Sequence, residues 1–271
     1  MKVFIAVACS AMFCCGADLP SPATPASSML EEGYRHMYNL QFDDAHRIFH
    51  RWEADHPTDP MGPASDAAAY LFSELDRLHI LQSEFFTHDT DFSRKNKLVP
   101  DPAVKAEFEQ DLTRADALSA DPGDDANLLF ASVLQHGLHS DYLGLVEKRY
   151  MAALSETKEA SATAEKLLET HPDFHDANLA IGVENYLLSL KSAPVRWMLR
   201  VGGAQTDRQE GIAKLRVTAE KGRLLLPFAK LLLAVADLRD KNREAARAEL
   251  SWLAEHFPSN RLFREELAKV Q

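Results

Sequence analysis

The sequence predicts an all-α protein built from short antiparallel helix pairs stacked side by side. Three observations carry this. From Met29 onward apolar residues recur at spacings of three and four, Ala and Leu dominate, and no alternating strand pattern appears. The helical stretches are cut at 56–63, 90–102, 121–124, 171–173, 192–194, 202–206 and 257–260, where Pro often joins Asp, Gly or Asn. Finally, an acidic residue, a histidine and a proline close three stretches in the same way: Glu53 to Pro57, Leu168 to Pro172 and Ala254 to Pro258. Upstream of these stops lie Ala45/Phe49/Trp52, Ala160/Ala164/Leu167 and Ala246/Leu250/Leu253. Small, apolar, apolar, proline at matched spacing is internal repetition.

In chain order, Lys2, the apolar run from Val3 to Phe13 and the small residues Gly16 and Ala17 describe a secretory leader over 1–17, cleaved after Ala17. A lipoprotein acylated at Cys14 or Cys15 is the alternative, disfavoured by the bulky Met12-Phe13 before Cys14. Cys9, Cys14 and Cys15 are the chain's three cysteines, so the cleaved protein has no thiol chemistry and must be held by packing. Residues 18–28, rich in Pro, Ser, Thr and Ala, read as a flexible tether. The helical domain then spans 29–271, with its clearest units at 29–58, 141–174, 175–222 (carrying an insertion at 190–205) and 225–260. A helix from Met61 to about Phe86 should pack on the first hairpin, and 104–119 with 126–139 should form a degenerate pair. The apolar stretch 224–238 is broken by Pro227, Lys230 and Asp237 and reads as a buried repeat helix rather than a membrane span.

The first unit runs Gly33-Tyr34-Arg35-His36-Met37-Tyr38-Asn39-Leu40-Gln41-Phe42-Asp43-Asp44-Ala45, then Phe49, Trp52 and Pro57. This unit resembles the tetratricopeptide repeat, a helical hairpin of about 34 residues that buries its apolar face by stacking on copies of itself. Ser189, Pro194, Gly202-Gly203, Asp207-Arg208 and Gly211 also resemble a segment of the inclusion-body-clearance and outer-mitochondrial branch of that family, and of bacterial repeat proteins. The resemblance implies a right-handed superhelix of stacked pairs with a concave groove that holds a protein or peptide. It would place Tyr34, Met37, Tyr38, Tyr142, Arg149, Val183, Tyr186, Val235 and Arg239 on the groove face.

The charge of −11 disfavours nucleic acid as a partner. Against it stands a local basic island, Lys191, Arg196, Arg200, Arg208, Lys214, Arg216, Lys221 and Arg223, faced only by Asp207, Glu210 and Glu220. Arg196, Trp197 and Arg200 are its candidate contact residues for a partner or a membrane. The preferred reading of the island is packing, with Trp197 and Leu199 plugging a gap between repeats and the arginines solvated or paired with acids.

His46 and His50 lie one helical turn apart, a spacing that can serve a metal. Because they flank the packing residue Phe49, they read as structural, as do His171 and His175 around Pro172 and the pair His136 and His139. Glu31-Glu32, Asp43-Asp44 and Asp124-Asp125 read as charges at helix starts. No phosphate loop, nucleophile elbow or zincin motif is present in the sequence. The expectation is therefore an exported, non-catalytic scaffold without cofactor or metal, in the periplasm or cell envelope. Its rivals are attachment to a membrane complex or lipid surface through 191–216, and an envelope hydrolase or metal-dependent enzyme working through the His/Asp turns.

Overall fold

The computed structural model describes residues 25–81, 98–191 and 193–270. The expected leader and most of the tether fall outside this range, as do 82–86 of the helix expected after the first hairpin. Among the described residues the protein is all-helical, with no strand: α1 (Pro25–Tyr38), α2 (Phe42–Asp55), α3 (Met61–Arg77), α4 (Pro102–Leu118), α5 (Ala126–Asp141), α6 (Tyr150–Thr170), α7 (Asn178–Ser189), α8 (Ala193–Val201), α9 (Arg208–Lys221), α10 (Leu226–Arg239), α11 (Arg243–His256) and α12 (Arg261–Lys269). Packing runs mainly between neighbours in the chain. α1 lies on α2, α3 on α4, α5 on α6, α7 on α9 and α10 on α11, and the pairs touch through α2–α3, α6–α7 and α9–α10.

The first hairpin follows from its residues. Leu40 takes a left-handed conformation (φ 59°) that turns the chain between α1 and α2. Ala45, Phe49 and Trp52 form the buried stripe of α2. Gly33 lets the Phe49 ring lie against α1, where a Cβ would stand 2.2 Å from it. α1 begins at Pro25, inside the stretch expected to be tether, since proline suits the first helical turn. Glu31 and Glu32 therefore sit mid-helix rather than at a helix start.

The recurring His-Pro phrase is a helix stop with a defined chemistry. His56 donates its backbone N–H to Trp52 O at 2.8 Å, its Nδ1 lies 3.2 Å from the same oxygen, and its ring stacks on Trp52 at 4.0 Å. His256 repeats this on Trp252, with Nδ1 2.8 Å from Trp252 O and ring centroids 3.8 Å apart. His171 closes α6 through its N–H to Leu167 O at 2.7 Å, while Nε2 reaches Asp124 O at 2.9 Å. In each case the histidine satisfies carbonyls that the helix end leaves open, and the proline that follows prevents continuation.

α3 is the central helix, packed by α1, α2, α4 and α5 and buried on most of its surface by small residues (Ala64, Ala67, Ala68) and large ones (Leu71, Phe72, Leu75). It ends at Arg77, short of the expected Phe86, because His79 turns left-handed (φ 55°). Buried Glu74 then ties the chain beyond: it binds Arg77 Nε at 2.7 Å and accepts the Asp101 N–H at 2.8 Å. Asp101, Asp125 and Asp207 each accept two backbone N–H groups at the starts of α4, α5 and α9.

The unit expected at 141–174 is differently divided. Its first helix is α5, which runs on through a π-helical turn at Tyr142–Val146 before Lys148 (φ 59°) reverses the chain into α6. Tyr142 thus closes a first helix, and Arg149 is the cap residue before the second. The α7/α9 pair crosses backbone against backbone. A Cβ on Gly211 would stand 2.6 Å from Tyr186 N, and one on Gly182 would stand 2.9 Å from Leu215. Here the small residue expected at position 211 is required by contact.

The two ends of the stack meet. Tyr38 donates its hydroxyl to Leu224 O at 3.0 Å, Asn260 Nδ2 donates to Tyr38 O at 2.8 Å, and Arg261 pairs with Asp76 at 2.8 Å. Arg223 Nε reaches Glu31 at 2.8 Å. Beside Tyr38, Phe228 and Phe263 the space left is a crevice of about 20 Å³, large enough for one water molecule.

Candidate functional site

The residues expected on a groove divide sharply. Tyr34, Met37, Tyr38, Tyr142 and Tyr186 retain between 1 and 5% of their accessible surface. Tyr38 sits edge-on to Phe72 and against Phe257, Tyr142 stacks on Phe108 at 5.0 Å, and Tyr186 lies under Arg208, whose guanidinium pairs with Asp240. Val235 is buried, while Val183 and Arg239 are half-buried. Arg149 is exposed and pairs with Glu147 at 3.2 Å. The aromatic set is thus the mortar between helix pairs. Its surface is consumed by packing, and Tyr38 lies where the first hairpin meets the last.

Apart from Val99, Tyr150 and Met151, the large exposed apolar side chains among the described residues gather around the insertion. α8 presents Trp197 (69% exposed), Met198 (62%) and Val201 (72%), with Val195 beside them, and Leu187 and Leu190 project at the end of α7. At 100° per residue, Trp197, Val201, Met198 and Val195 fall on one continuous side of the helix. Arg196 and Arg200 occupy the opposite side and face the protein. Arg196 Nη1 donates to Lys191 O at 3.0 Å and Ser189 O at 3.3 Å, supplying carbonyls at the end of α7. Arg200 Nε donates to Thr206 Oγ1 at 2.5 Å. The far end is held by Lys158 Nζ on Gly202 O at 2.6 Å, and Asn185 Nδ2 and the Gln205 N–H fasten the following loop to α7 through Gln205 Oε1 and Glu184.

This divides the packing reading of the island. Trp197 plugs nothing, while Arg196 and Leu199 are half-buried; Arg196 and Arg200 are spent on backbone and hydroxyl oxygens of their own loop, whereas Arg208, Lys214 and Arg223 of the island pair with acids. The helix is bolted to the body by its polar side and shows its apolar side to solvent. The result is an exposed apolar patch on an otherwise charged surface. No Asp or Glu occurs from Asn185 to Thr206, while Lys191, Arg196 and Arg200 do, so the patch is locally cationic in an anionic protein. The sequence names Arg196, Trp197 and Arg200 as contact candidates and Val195, Met198 and Leu199 as apolar bulk beside them, but not Val201, Leu187 or Leu190. The acid-free run itself was the signal.

Of the histidines judged structural, His46, His50, His136, His139 and His171 have side-chain partners. His136 Nδ1 lies 2.7 Å and His139 Nδ1 3.2 Å from Glu156. Asp176, near His171 and His175, accepts the N–H groups of Arg223, Leu224 and Leu225 and so binds the loop that opens α10. His46 and His50 both meet Asp66, at 2.6 and 2.9 Å. Among the described residues no helix is long and apolar enough to cross a membrane. In comparisons with known proteins, no family model, no curated protein and no solved structure matches this chain.

Proposed function

We propose that this protein is an exported, non-catalytic docking factor of tetratricopeptide type that attaches to an anionic membrane surface through α8. One observation carries the reading: a short, firmly anchored helix whose tryptophan, methionine and valines face outward, within a run that has three cations and no acid. Tryptophan and flanking cations suit the boundary between headgroups and acyl chains, and the acid-free run removes the repulsion that the rest of the surface would feel. The helical pairs, the repeated stops and the tetratricopeptide-like hairpin support a stacked-repeat body whose role is to place a surface. The leader-like segment at 1–17 supports export to the periplasm or envelope, where such a membrane face is available.

Co-flotation with lipid vesicles tests this. The protein is expected to float with vesicles containing about 30% phosphatidylglycerol, less with pure phosphatidylcholine, and its tryptophan fluorescence should shift to the blue. Trp197 is the exposed indole, whereas Trp52 is buried. The triple variant Trp197→Ser/Met198→Ser/Val201→Ser removes exposed side chains alone, so it should keep full helicity and lose flotation by 10-fold or more. Equal flotation of both proteins, or of neither, overturns the membrane reading. Loss in the variant of a specific protein partner, with vesicles ignored by both, would move α8 to a protein contact.

A further inference from the structure

The face of α2 turned toward α3 and α4 holds a compact set of ligand-type side chains. His46, His50 and Glu53 stand at spacings of four and three, one above another on that helix. Asp66 comes from α3 and Asp111 from α4. Glu53, Asp66 and Asp111 each offer a carboxylate oxygen within 4.8 Å of the others. We propose that Glu53, Asp66, Asp111 and His50 form a binding site for one divalent transition-metal ion of the Zn²⁺ or Mn²⁺ kind, which staples α2, α3 and α4 together.

Hydrogen bonding in the cluster divides each carboxylate in two. Asp66 is fully buried; its Oδ1 accepts from His46 Nδ1 at 2.6 Å, while Oδ2 has no hydrogen-bond donor. Glu53 Oε2 is held by Arg114 Nη2 at 2.6 Å, while Glu53 Oε1 is buried with no donor. Asp111 Oδ1 faces Arg114 Nη1 at 3.5 Å. One oxygen of each group is positioned by the protein, and two others lie buried without a donor, an arrangement that costs stability unless something satisfies them. His50 Nε2 lies 2.9 Å from Asp66 Oδ2 without the alignment of a hydrogen bond. From the solvent edge, a turn of the exposed His50 side chain would bring its imidazole onto an ion held by the three carboxylates.

Charge leads to the same answer. Glu53 and Asp111 share one guanidinium, that of Arg114, so three carboxylates meet with a single fixed cation, and a divalent ion would supply the charge that the cluster lacks. Two buried carboxylates and a half-buried one, drawn this close, otherwise repel one another. His46 is then a positioning residue: it fixes Asp66 in the manner of a histidine–carboxylate pair behind a metal, with its ring packed at 4.1 Å against Tyr70. His50, 59% exposed, stands at the solvent edge and gives the ion its way in. The mixed oxygen and nitrogen donors favour a first-row transition ion over Ca²⁺ or Mg²⁺.

The test uses the protein freed of metal by chelator and titrated with Zn²⁺, Mn²⁺, Ca²⁺ and Mg²⁺ in turn, with calorimetric stoichiometry and thermal unfolding as readouts. The expected result is one equivalent of Zn²⁺ or Mn²⁺ and a melting temperature that climbs with ion concentration. Asp111→Asn and His50→Gln should each weaken binding 10-fold or more. His50 is exposed enough that its variant folds, and His136→Gln, whose partner is Glu156, should bind as the parent does. With Co²⁺ as a probe, His50→Gln should alter the visible absorption. Absence of stoichiometric binding, binding unchanged in both cluster variants, or a response to Ca²⁺ or Mg²⁺ alone would overturn the assignment.

Discussion

Single residues in this protein act mostly by closing helix ends, and a few carboxylates are held where water would serve them better. Asp141, at the end of α5, is one; burial pushes its carboxyl up to about 7. A group whose folded pKa lies above its unfolded value of about 3.9 holds its proton more tightly when folded. Its contribution to stability is therefore complete below about pH 4 and is lost as pH rises through 7. Over that window Asp141 should remove on the order of 1–3 kcal/mol from the wild type. Asp141→Asn abolishes the titration, so its melting temperature should fall less between pH 5 and 8 than the wild type's. Thermal scans at matched ionic strength measure the difference, and parallel pH profiles would remove Asp141 from the account. The histidines show what sequence can and cannot settle at this scale. His56 and His256 could be assigned to helix stops from the residues around them, but their stacking on Trp52 and Trp252 needed coordinates. His46 and His50 were readable as a pair on one helix face, yet Asp66 and Asp111 come from two other helices, and no local pattern announces that meeting.

At the scale of elements, the periodic and punctuated parts of the chain were legible and the long-range contacts were not. The last hairpin falls within 225–260, and the first departs from 29–58 only at its start, where α1 begins at Pro25, because turn, small crossing residue and stop are all local. The boundary of the α5/α6 pair was misplaced because the π-helical turn at Tyr142–Val146 prolongs the first helix past the expected break. Burial of the tyrosines was left open by the sequence for another reason: a tyrosine on an inner face reads the same whether it lines a groove or packs between helix pairs. Gly211 was legible as a crossing residue, and its role leads to a prediction. An added methyl would meet the backbone of Tyr186 at 2.6 Å and Gly182 O at 3.0 Å, neither of which can step aside. Gly211→Ala should therefore cost about 2–3 kcal/mol by forcing α7 and α9 apart. Gly137→Ala is the matched control, since nothing lies within 4 Å of its added Cβ in α5; helix propensity there should yield a gain of about 0.5–1 kcal/mol. Denaturant titrations of the two variants should move in opposite directions, and equal shifts would mean the α7/α9 crossing is looser than the contacts imply.

For the whole molecule, joining the first hairpin to the last changes how the stack should come apart. An open array of repeats frays from its ends, since each unit contacts only its neighbours. Here α1 and α12 are each other's support: Asn260 caps α12 through Oδ1 on the Leu262 N–H at 2.9 Å while its Nδ2 holds Tyr38 O across 222 residues of chain. Asn260→Ala removes both bonds at once, and about 1–2 kcal/mol of stability should go with them. The informative readout is where protection is lost. If the ends are one cooperative unit, amide hydrogen exchange should accelerate in α1 and at the start of α10, where Tyr38 reaches Leu224, as well as in α12. Acceleration confined to α12 would show an ordinary fraying end, with the first hairpin held by α2 and α3 alone. Joint acceleration would instead explain why the aromatic residues of the inner face are spent on closure, leaving α8, far from that seam in sequence and built from an insertion, as the surface free to make contact.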